Sequence, residues 1–563
     1  MIADFPAALI LILGGLLVPL TRGRVRAAYL LALPVAAFAW LFVLPHGEYG
    51  QVQFLGQTLV LMRVDRLSLL FGYVFLIAAL INVIYALHVE DTVQHVAGMV
   101  YAGSTLGAVF AGDLLTLFVY WELTGISSVL LIWARRTERA QRAGMRYVLV
   151  QLLSGMFLLA GALVHWRATG SLRFDYIGLS GAGGALILVA FGIKSAFPLL
   201  HNWLQDAYPE ATVTGTVMLS AFTTKLGIYA LARAFPGTEM LIWIGVTMTA
   251  FPIFYAVIEN DLRRVLAYSM NNQLGFMVVG IGIGTELAVN GAVAHAFADI
   301  LFKALLFMSM GAVLLRAGTV KGSELGGLYK SMPWTAGFCI VGAASISAFP
   351  LFSAFVTKSM IMSAAAQEGH VISWLVLLFA SAGVFHHAGI KIPYFAFFAH
   401  DSGIRCKEAP LNMLVAMAIA AALCVGIGVM PFALYSILPY APGYEAYSPS
   451  HVVDQLQLLI FSALAFSVLM RTGIYPPELK SVNLDSDWLY RRLAPSLVAP
   501  AARGLSNMLQ AFGATVAHSW GRLATLLYRH HGPEGVLARS WPTGSMALWA
   551  MVLLLGYLLL YYL

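Results

Sequence analysis

FGIKSAFPLLHNWLQDAYPEATVTGTVMLSAFTTKLGIYA, residues Phe191 to Ala230, is apolar enough to lie in a bilayer, yet it carries Lys194 and Lys225 inside its two hydrophobic runs. A charge at that depth costs about 3 kcal/mol or more, so an intramembrane lysine is read first as a functional group. Pro198 has no N–H to give to the carbonyl four residues back, and that carbonyl belongs to Lys194. The helix is therefore expected to break beside its charge. Irregular backbone at membrane depth is tolerated only inside protein or along a watery cavity. The stretch reads as part of an ion path.

The rest of the chain agrees with a membrane setting. Its 563 residues are 60% hydrophobic and only 10% charged, with a mean hydropathy of +0.82. A soluble protein carries roughly 25% charged residues. The net charge of +7 is no nucleic-acid footprint, because the cations sit in loops between apolar runs. Cys339, Cys406 and Cys424 are scattered, which indicates neither a disulfide framework nor a metal site. The first run, Ala7 to Leu20, follows Asp4 and precedes Arg22, Arg24 and Arg26. That pattern predicts a retained helix with its N-terminus outside rather than a cleaved signal peptide.

About sixteen apolar runs of about 20 residues follow one another. The expected class is an all-α polytopic membrane protein. The boundaries group residues 1–94 (the first three helices), 95–236 and 237–400 (two five-helix units), 401–475 (two more helices), 476–543 (a polar segment and an amphipathic helix) and 544–563 (a last helix). Most Lys and Arg fall in loops after odd-numbered runs, which places both termini on the non-cytoplasmic side. The cations inside runs are Lys194, Lys225, Lys303, Lys358 and Lys391, all lysine although arginine is the commoner basic residue. Arginine cannot be deprotonated in a protein, whereas a buried lysine can be.

An internal repeat is visible. Lys194-Ser-Ala-Phe-Pro198 recurs as Ser347-Ala-Phe-Pro350 followed by Lys358, and the next run of each unit carries Lys225 or Lys391. Five helices per unit force the second unit to be inverted, and inverted repeats with broken helices mark transporters. Further on, Leu505, Leu509, Phe512, Val516, Trp520, Leu523 and Leu527 recur at helical spacing between Ala501 and His531. They predict an amphipathic helix of about 30 residues lying along the cytoplasmic surface or along its own bundle.

Glu122 lies mid-run in VYWELTG and needs a cation or must go neutral. Lys194, in the same unit, is its expected partner. At an effective dielectric of 20, opening such a pair from ~4 to ~10 Å weakens it from ~4 to ~1.7 kcal/mol. That loss is enough to eject a proton from a desolvated lysine; the alternative is a static pair holding two helices. His295, Asp299 and Lys303 fall at i, i+4 and i+8 and share one helix face. They suit a proton relay, or else Asp299 and Lys303 neutralise each other with His295 bonded to a carbonyl. His387 and Lys391 form a similar pair, with a lysine snorkelling to the helix end as the plain alternative. Asp113, Asp261, Arg263 and Arg264 read as interface anchors at run ends. The Gly-rich GIGIG around Gly282 follows no strand, which excludes a nucleotide loop.

VYWELTGISS, GIKSAFPLLHNWLQDAYPEA, ENDLRRVLAYSMNNQLG, HAFADILFKALLF, GGLYKSMP and SAFPLFSAFVTK occur in that order. Over roughly residues 95 to 400 they resemble the antiporter-like subunits of respiratory complex I and of Mrp-type cation/proton antiporters, and among the Mrp subunits the D-like branch. The resemblance implies proton-translocating roles for Glu122, Lys194, Lys225, His295 and Lys358. It differs at Asp299, where the family often has His or Asn, and at Lys391, which is less general. The DWLYRR segment and added last helix look like the extended C-terminus of complex I's most distal pump subunit.

The implied protein is an inner-membrane subunit with no catalytic centre or cofactor of its own. It would work with other integral membrane subunits and move protons along Glu122, Lys194, Lys225, His295, Asp299, Lys303, Lys358 and Lys391. Three settings compete: an Mrp-type Na⁺/H⁺ antiporter complex, a redox-driven complex I-like or membrane-bound hydrogenase machine, and a proton-coupled inorganic-carbon uptake system. A non-conducting scaffold is the reading from another class, and the retained charges argue against it. No cluster of carboxylates or hydroxyls marks a hard-cation site.

Overall fold

The computed structural model describes residues 5–54, 56–441, 443–476, 478–479, 483–533, 535–536 and 538–563, so Asp4 lies outside the described residues. The chain is mostly helical. Among the described residues ten helices are long and apolar enough to cross a membrane, and Ala7–Leu20, Gly181–Lys194 and Pro333–Ile346 are shorter apolar helices. Other expected runs are helical but too polar to count among the ten. Leu262–Ile283 is one: it buries Ser269, Asn271, Asn272 and Gln273 among its apolar residues. Polar side chains of this kind are affordable only where other helices cover and satisfy them.

The all-α expectation needs one correction. Gly47–Phe54 and Gln57–Val64 form an antiparallel hairpin, with Gly47 opposite Val64 and Phe54 opposite Gln57. Alternation drives it: Val60, Met62 and Val64 turn inward while their neighbours stay partly exposed. Gly56 turns the chain at φ +76°, a conformation that glycine adopts without steric cost. The Asp113 carboxylate accepts from the Val60 N–H at 2.9 Å and ties the hairpin to the helices.

Two stretches of the chain share local structure in detail. Asp113 and Asp261 each cap a helix, Leu114–Trp133 and Leu262–Ile283, by accepting from two N–H groups of the first turn. Each also forms an isolated bridge, to Arg173 and to Lys321. The helices that follow, Glu138–Thr169 and Glu286–Ala317, both have 32 residues, a Thr N-cap and a glycine C-cap with positive φ. Gly181–Lys194 and Pro333–Ile346 both have 14 residues and both are followed by Ser-Ala-Phe-Pro-Leu.

The two breaks have the same backbone. Ala196 and Leu199 take φ of 59° and 68°, and Ala348 and Leu351 take 56° and 74°. Phe197 N–H donates to the Gly192 carbonyl and Phe349 N–H to that of Ala344, each reaching back five residues across the break. Left-handed conformations cost a non-glycine residue about 1–2 kcal/mol, so their recurrence reflects packing that holds both breaks alike. The chain resumes as helix at Asn202–Ala207 and at Ser353–Gln367.

The chain divides into two compact units, Met1–Asn483 and Leu484–Leu563. Within the second, the amphipathic helix spans Ala494–His531, 38 residues, and so starts before the expected Ala501. Pro495 sits in its first turn, where the missing N–H costs nothing. Thr543–Tyr562 is the last helix.

Candidate proton path

Four of the five lysines lie at or near a helix end, break or distortion, and Lys303 lies inside the long helix Glu286–Ala317. Lys194 is the last residue of Gly181–Lys194, with 0% of its surface exposed. Its Nζ donates to the Trp121 carbonyl at 2.8 Å and lies 4.2 Å from the Trp121 ring centroid. Glu122 is the neighbouring residue, but among the described residues no ion pair joins it to Lys194. Its buried Oε1 makes no hydrogen bond. Glu122 packs on Gly155, where an added Cβ would stand 1.3 Å from Oε1. Only glycine leaves room there.

The next lysine follows from a second distortion. Phe222, at φ −105° and ψ −65°, separates Val213–Ala221 from Thr223–Ala234 and leaves the Ser220 carbonyl to the Lys225 Nζ at 3.1 Å. The same Nζ lies 2.6 Å from Asp299 Oδ2, and both side chains are fully buried. Gly227 lets this helix approach the first break, since a Cβ there would meet Ser195 Oγ at 2.4 Å. Asp299 makes no directed hydrogen bond through either oxygen. Lys225 is its direct ionic contact among the described residues, with Lys303 and Lys358 as further charged neighbours.

Asp299 therefore pairs across helices with Lys225 and not along its own helix with Lys303. Lys303 donates to Ser269 Oγ at 2.7 Å. His295 sits between two partners, Gln273 Oε1 at 2.9 Å from Nε2 and Thr357 Oγ1 at 3.0 Å from Nδ1. Gln273 passes the chain on to Asn272 at 2.8 Å and Asn272 to the Thr249 carbonyl. The Thr357 hydroxyl also reaches the Ser353 carbonyl at 3.2 Å. With neutral His295, Nε2–H donates to Gln273 and Thr357 donates to Nδ1. With charged His295, Nδ1–H donates to Thr357, whose own proton turns to Ser353. These hydrogen bonds can be directed for either protonation state without moving a heavy atom.

Lys358 lies after the second break, in Ser353–Gln367, with its Nζ 4.7 Å from the Phe276 ring centroid. That Nζ makes no hydrogen bond. Phe276 also packs edge-on to His295, with centroids 6.3 Å apart, so one ring borders both groups. Lys391 ends the series. Its Nζ donates to the carbonyls of Ala256, Val257 and Glu259 at 3.2, 2.6 and 2.7 Å, at the C-terminus of Met240–Ile258. It also lies 2.9 Å from Glu478 Oε1. Its own helix there is π-helical, over Phe385–Ile390 and Tyr394–Phe398, a geometry frequent at functional sites.

Sequence reasoning missed Ser269, Gln273, Thr357 and Glu478. The first three are neutral residues in apolar runs, and MNNQ was their only signal. Glu478 hid in a polar segment. Of the expected anchors, Asp113 and Asp261 are helix caps, and Arg263 donates to the carbonyls of Tyr208, Ala211 and Thr212. Among the described residues no group of three or more His, Cys, Asp or Glu side chains could hold a metal ion.

Comparison with known proteins gives this geometry its relatives. Residues 111–372 match the family model described as NADH:quinone oxidoreductase/Mrp antiporter, TM. The chain is 29% identical over 356 residues to the D subunit of the Na(+)/H(+) antiporter of Alkalihalophilus pseudofirmus, covering 59% of this chain and 72% of that one. For three further curated relatives the match reaches 33%, 61% and 55% of their length, so the chain spans only part of those proteins. Among solved structures, one chain of the Mrp complex from Dietzia sp. DQ12-45-1b superposes with a TM-score of 0.69 at 22% identity, over 81% of this chain and 99% of that one. One chain of the membrane-bound sulfane sulfur reductase, an archaeal respiratory membrane complex, superposes with a TM-score of 0.71 at 21% identity, over 98% and 99%. Through residues 111–372 the chain resembles the antiporter-like membrane subunits of NADH:quinone oxidoreductase and Mrp antiporters.

Proposed function

We propose that this chain is the proton-translocating subunit of a multisubunit Mrp-type Na⁺/H⁺ antiporter-like complex in a bacterial inner membrane. Its two five-helix units, 95–236 and 237–400, are inverted repeats within about sixteen spans, and both termini face away from the cytoplasm. Protons pass from Glu122 and Lys194 to Lys225, then along Asp299, His295 and Lys303 to Lys358 and Lys391. The observation that carries the reading is the buried lysine series, each member held by carbonyls, hydroxyls, rings or a single carboxylate. A buried lysine, unlike an arginine, is able to give up its proton, which is what a proton path asks of each position.

The test is proton flux in vesicles holding the full chain with its native neighbours. Lys194→Met and Glu122→Gln reduce flux to background while the complex still assembles. Full flux in either assembled variant removes that pair from the path.

A second reading has one observation in its favour. The likeness to the respiratory membrane complex extends over 98% of the chain, against 81% for the Mrp complex. On this reading the chain is a pump component that redox partners drive. Mass spectrometry of what co-purifies in mild detergent separates the two: companions with flavin, iron–sulfur or nickel sites support redox drive, and small membrane proteins alone support antiport.

A further inference from the structure

The bundle holds a second cluster of buried titratable groups that the path above reaches only at its last member. Glu478 belongs to the segment after helix Pro449–Thr472, far outside the matched residues 111–372. Its carboxylate is 6% exposed and lies against Lys391. Among the described residues neither of its oxygens accepts a well-directed hydrogen bond. Nearby, Glu259 accepts from Asn483 Nδ2 at 3.2 Å and lies 3.9 Å from Arg264 Nη1. Glu259 also lines a cavity of about 340 Å³ together with Glu210, Arg135, Arg139, Asp261 and Arg264. A charge-lined space roomy enough for water thus borders the Lys391 cluster through Glu259.

On the other side of Lys391 lies His387, fully buried, with neither ring nitrogen in a well-directed hydrogen bond and the Gly383 backbone as its loose polar neighbour. Buried imidazoles so poorly partnered are rare, and each calls for an explanation. The fold supplies one. Gly389 packs on the second break as Gly227 packs on the first, with an added Cβ 2.3 Å from Ser347 Oγ and 2.4 Å from Ser195 Oγ respectively. Counting back from each glycine, the position matching Lys225 is His387. Lys225 touches the central helix through Asp299, and His387 has Lys303 of that same helix as a charged neighbour.

We propose that Glu478, Lys391 and His387 form a proton port into the second half of the bundle, in which Glu478 exchanges protons with the cavity water, Lys391 passes them inward and His387 hands them to Lys303. The proposal rests on the proton-translocating reading above. In each cycle His387 gives a proton to deprotonated Lys303, Lys391 gives one to His387, Glu478 gives one to Lys391, and water in the cavity reprotonates Glu478. Charge and atoms balance with no other reactant. Burial holds the Glu478 carboxyl above the ordinary carboxylate range, with Lys391 opposing and Glu259 reinforcing the rise. Tyr475, Glu259 and Lys391 face it, and the His386 ring lies tilted against Tyr475 with centroids 5.4 Å apart. The competing role is a static clamp, in which Lys391 caps the end of Met240–Ile258 and Glu478 pins its own segment.

The experiment is flux against pH in vesicles of the full chain with its native neighbours. Glu478→Gln keeps the shape and removes the titrating group. It lowers flux at least tenfold and abolishes the Glu478 limb of the pH profile, while Glu478→Asp restores part of both. His387→Leu lowers flux similarly. Wild-type flux in Glu478→Gln, where Lys194→Met has none, overturns the port and leaves the central path standing. A loss with an unchanged pH profile also overturns it, in favour of the clamp. Flux retained in Lys194→Met as well defeats the path reading itself. Should Glu478→Gln fail to assemble, a hydrophobic carbodiimide is applied to the wild-type protein between about pH 5 and 8. Modification of Glu478 with loss of flux is expected, and an unmodified Glu478 overturns the port.

Discussion

One helix, Thr223–Ala234, carries two ion pairs built in opposite ways, each with a buried cation. Near its C-terminus Arg233 grips Asp65 with both ends of its guanidinium, at 2.8 and 2.9 Å, and its Nε donates to the Tyr229 hydroxyl at 2.8 Å. Two turns earlier Lys225 meets Asp299 through a single 2.6 Å contact and shares its Nζ with the Ser220 carbonyl. The first pair fixes a planar, permanently charged group in a fork of acceptors. The second joins a group able to lose its proton to a carboxylate that no other donor holds. The difference teaches that the arginine pair is built to hold its partners in place, while the lysine pair keeps the deprotonable cation that the proposed path requires. Burial alone does not separate the two, since both cations are buried.

The sharpest way to break the comparison is to exchange the two chemistries. Lys225→Arg preserves the charge and the pair but removes the ability to deprotonate. Flux falls to background, while the larger side chain costs about 1–3 kcal/mol of stability in the packed interior. Arg233→Lys does the reverse. It loses the bidentate geometry and costs about 1–2 kcal/mol, read as a lower thermal midpoint in detergent, with flux per assembled molecule unchanged. Flux surviving Lys225→Arg, or vanishing in a stable Arg233→Lys, would erase the distinction.

The exchange also shows what the sequence could reveal. The burial of Lys194, Lys225, Lys303, Lys358 and Lys391 follows from their place in apolar runs, and all five are buried. The breaks at Pro198 and Pro350 were legible because proline removes a specific backbone bond. Partners were harder. Helical periodicity sets Asp299 and Lys303 on one face, but it carries no information about a helix that lies far earlier in the chain. Lys225 could therefore not be assigned to Asp299. Lys194 had an obvious carboxylate in Glu122, yet its Nζ takes a main-chain carbonyl and a ring face, and no motif marks either. The hairpin at 47–64 was overlooked because its alternation spans a short polar loop between two long apolar runs. Glu478 escaped because nothing in a polar segment marks which carboxylate will be folded inward.

The smallest expected effect separates the two pairs by pH. Burial pushes the Asp65 carboxyl up, but the Arg233 pair, the Ser68 N–H and Arg63 outweigh it and hold the carboxyl at about 2. A carboxyl held below its unfolded value of 3.8 contributes stability that is fully present above that value and is lost as pH falls through about 2. The contribution is about 2 kcal/mol, tempered by the 31% exposure of the Asp65 side chain. Between about pH 6 and pH 3 the wild-type midpoint in detergent should begin to fall through this group. In Arg233→Met that part of the acid response is reduced, because the principal partner holding Asp65 down is gone. Asp299→Asn leaves it in place, because Asp65 keeps every partner. Equal acid responses in Arg233→Met and wild type would mean that the arginine pair contributes nothing to holding the fold.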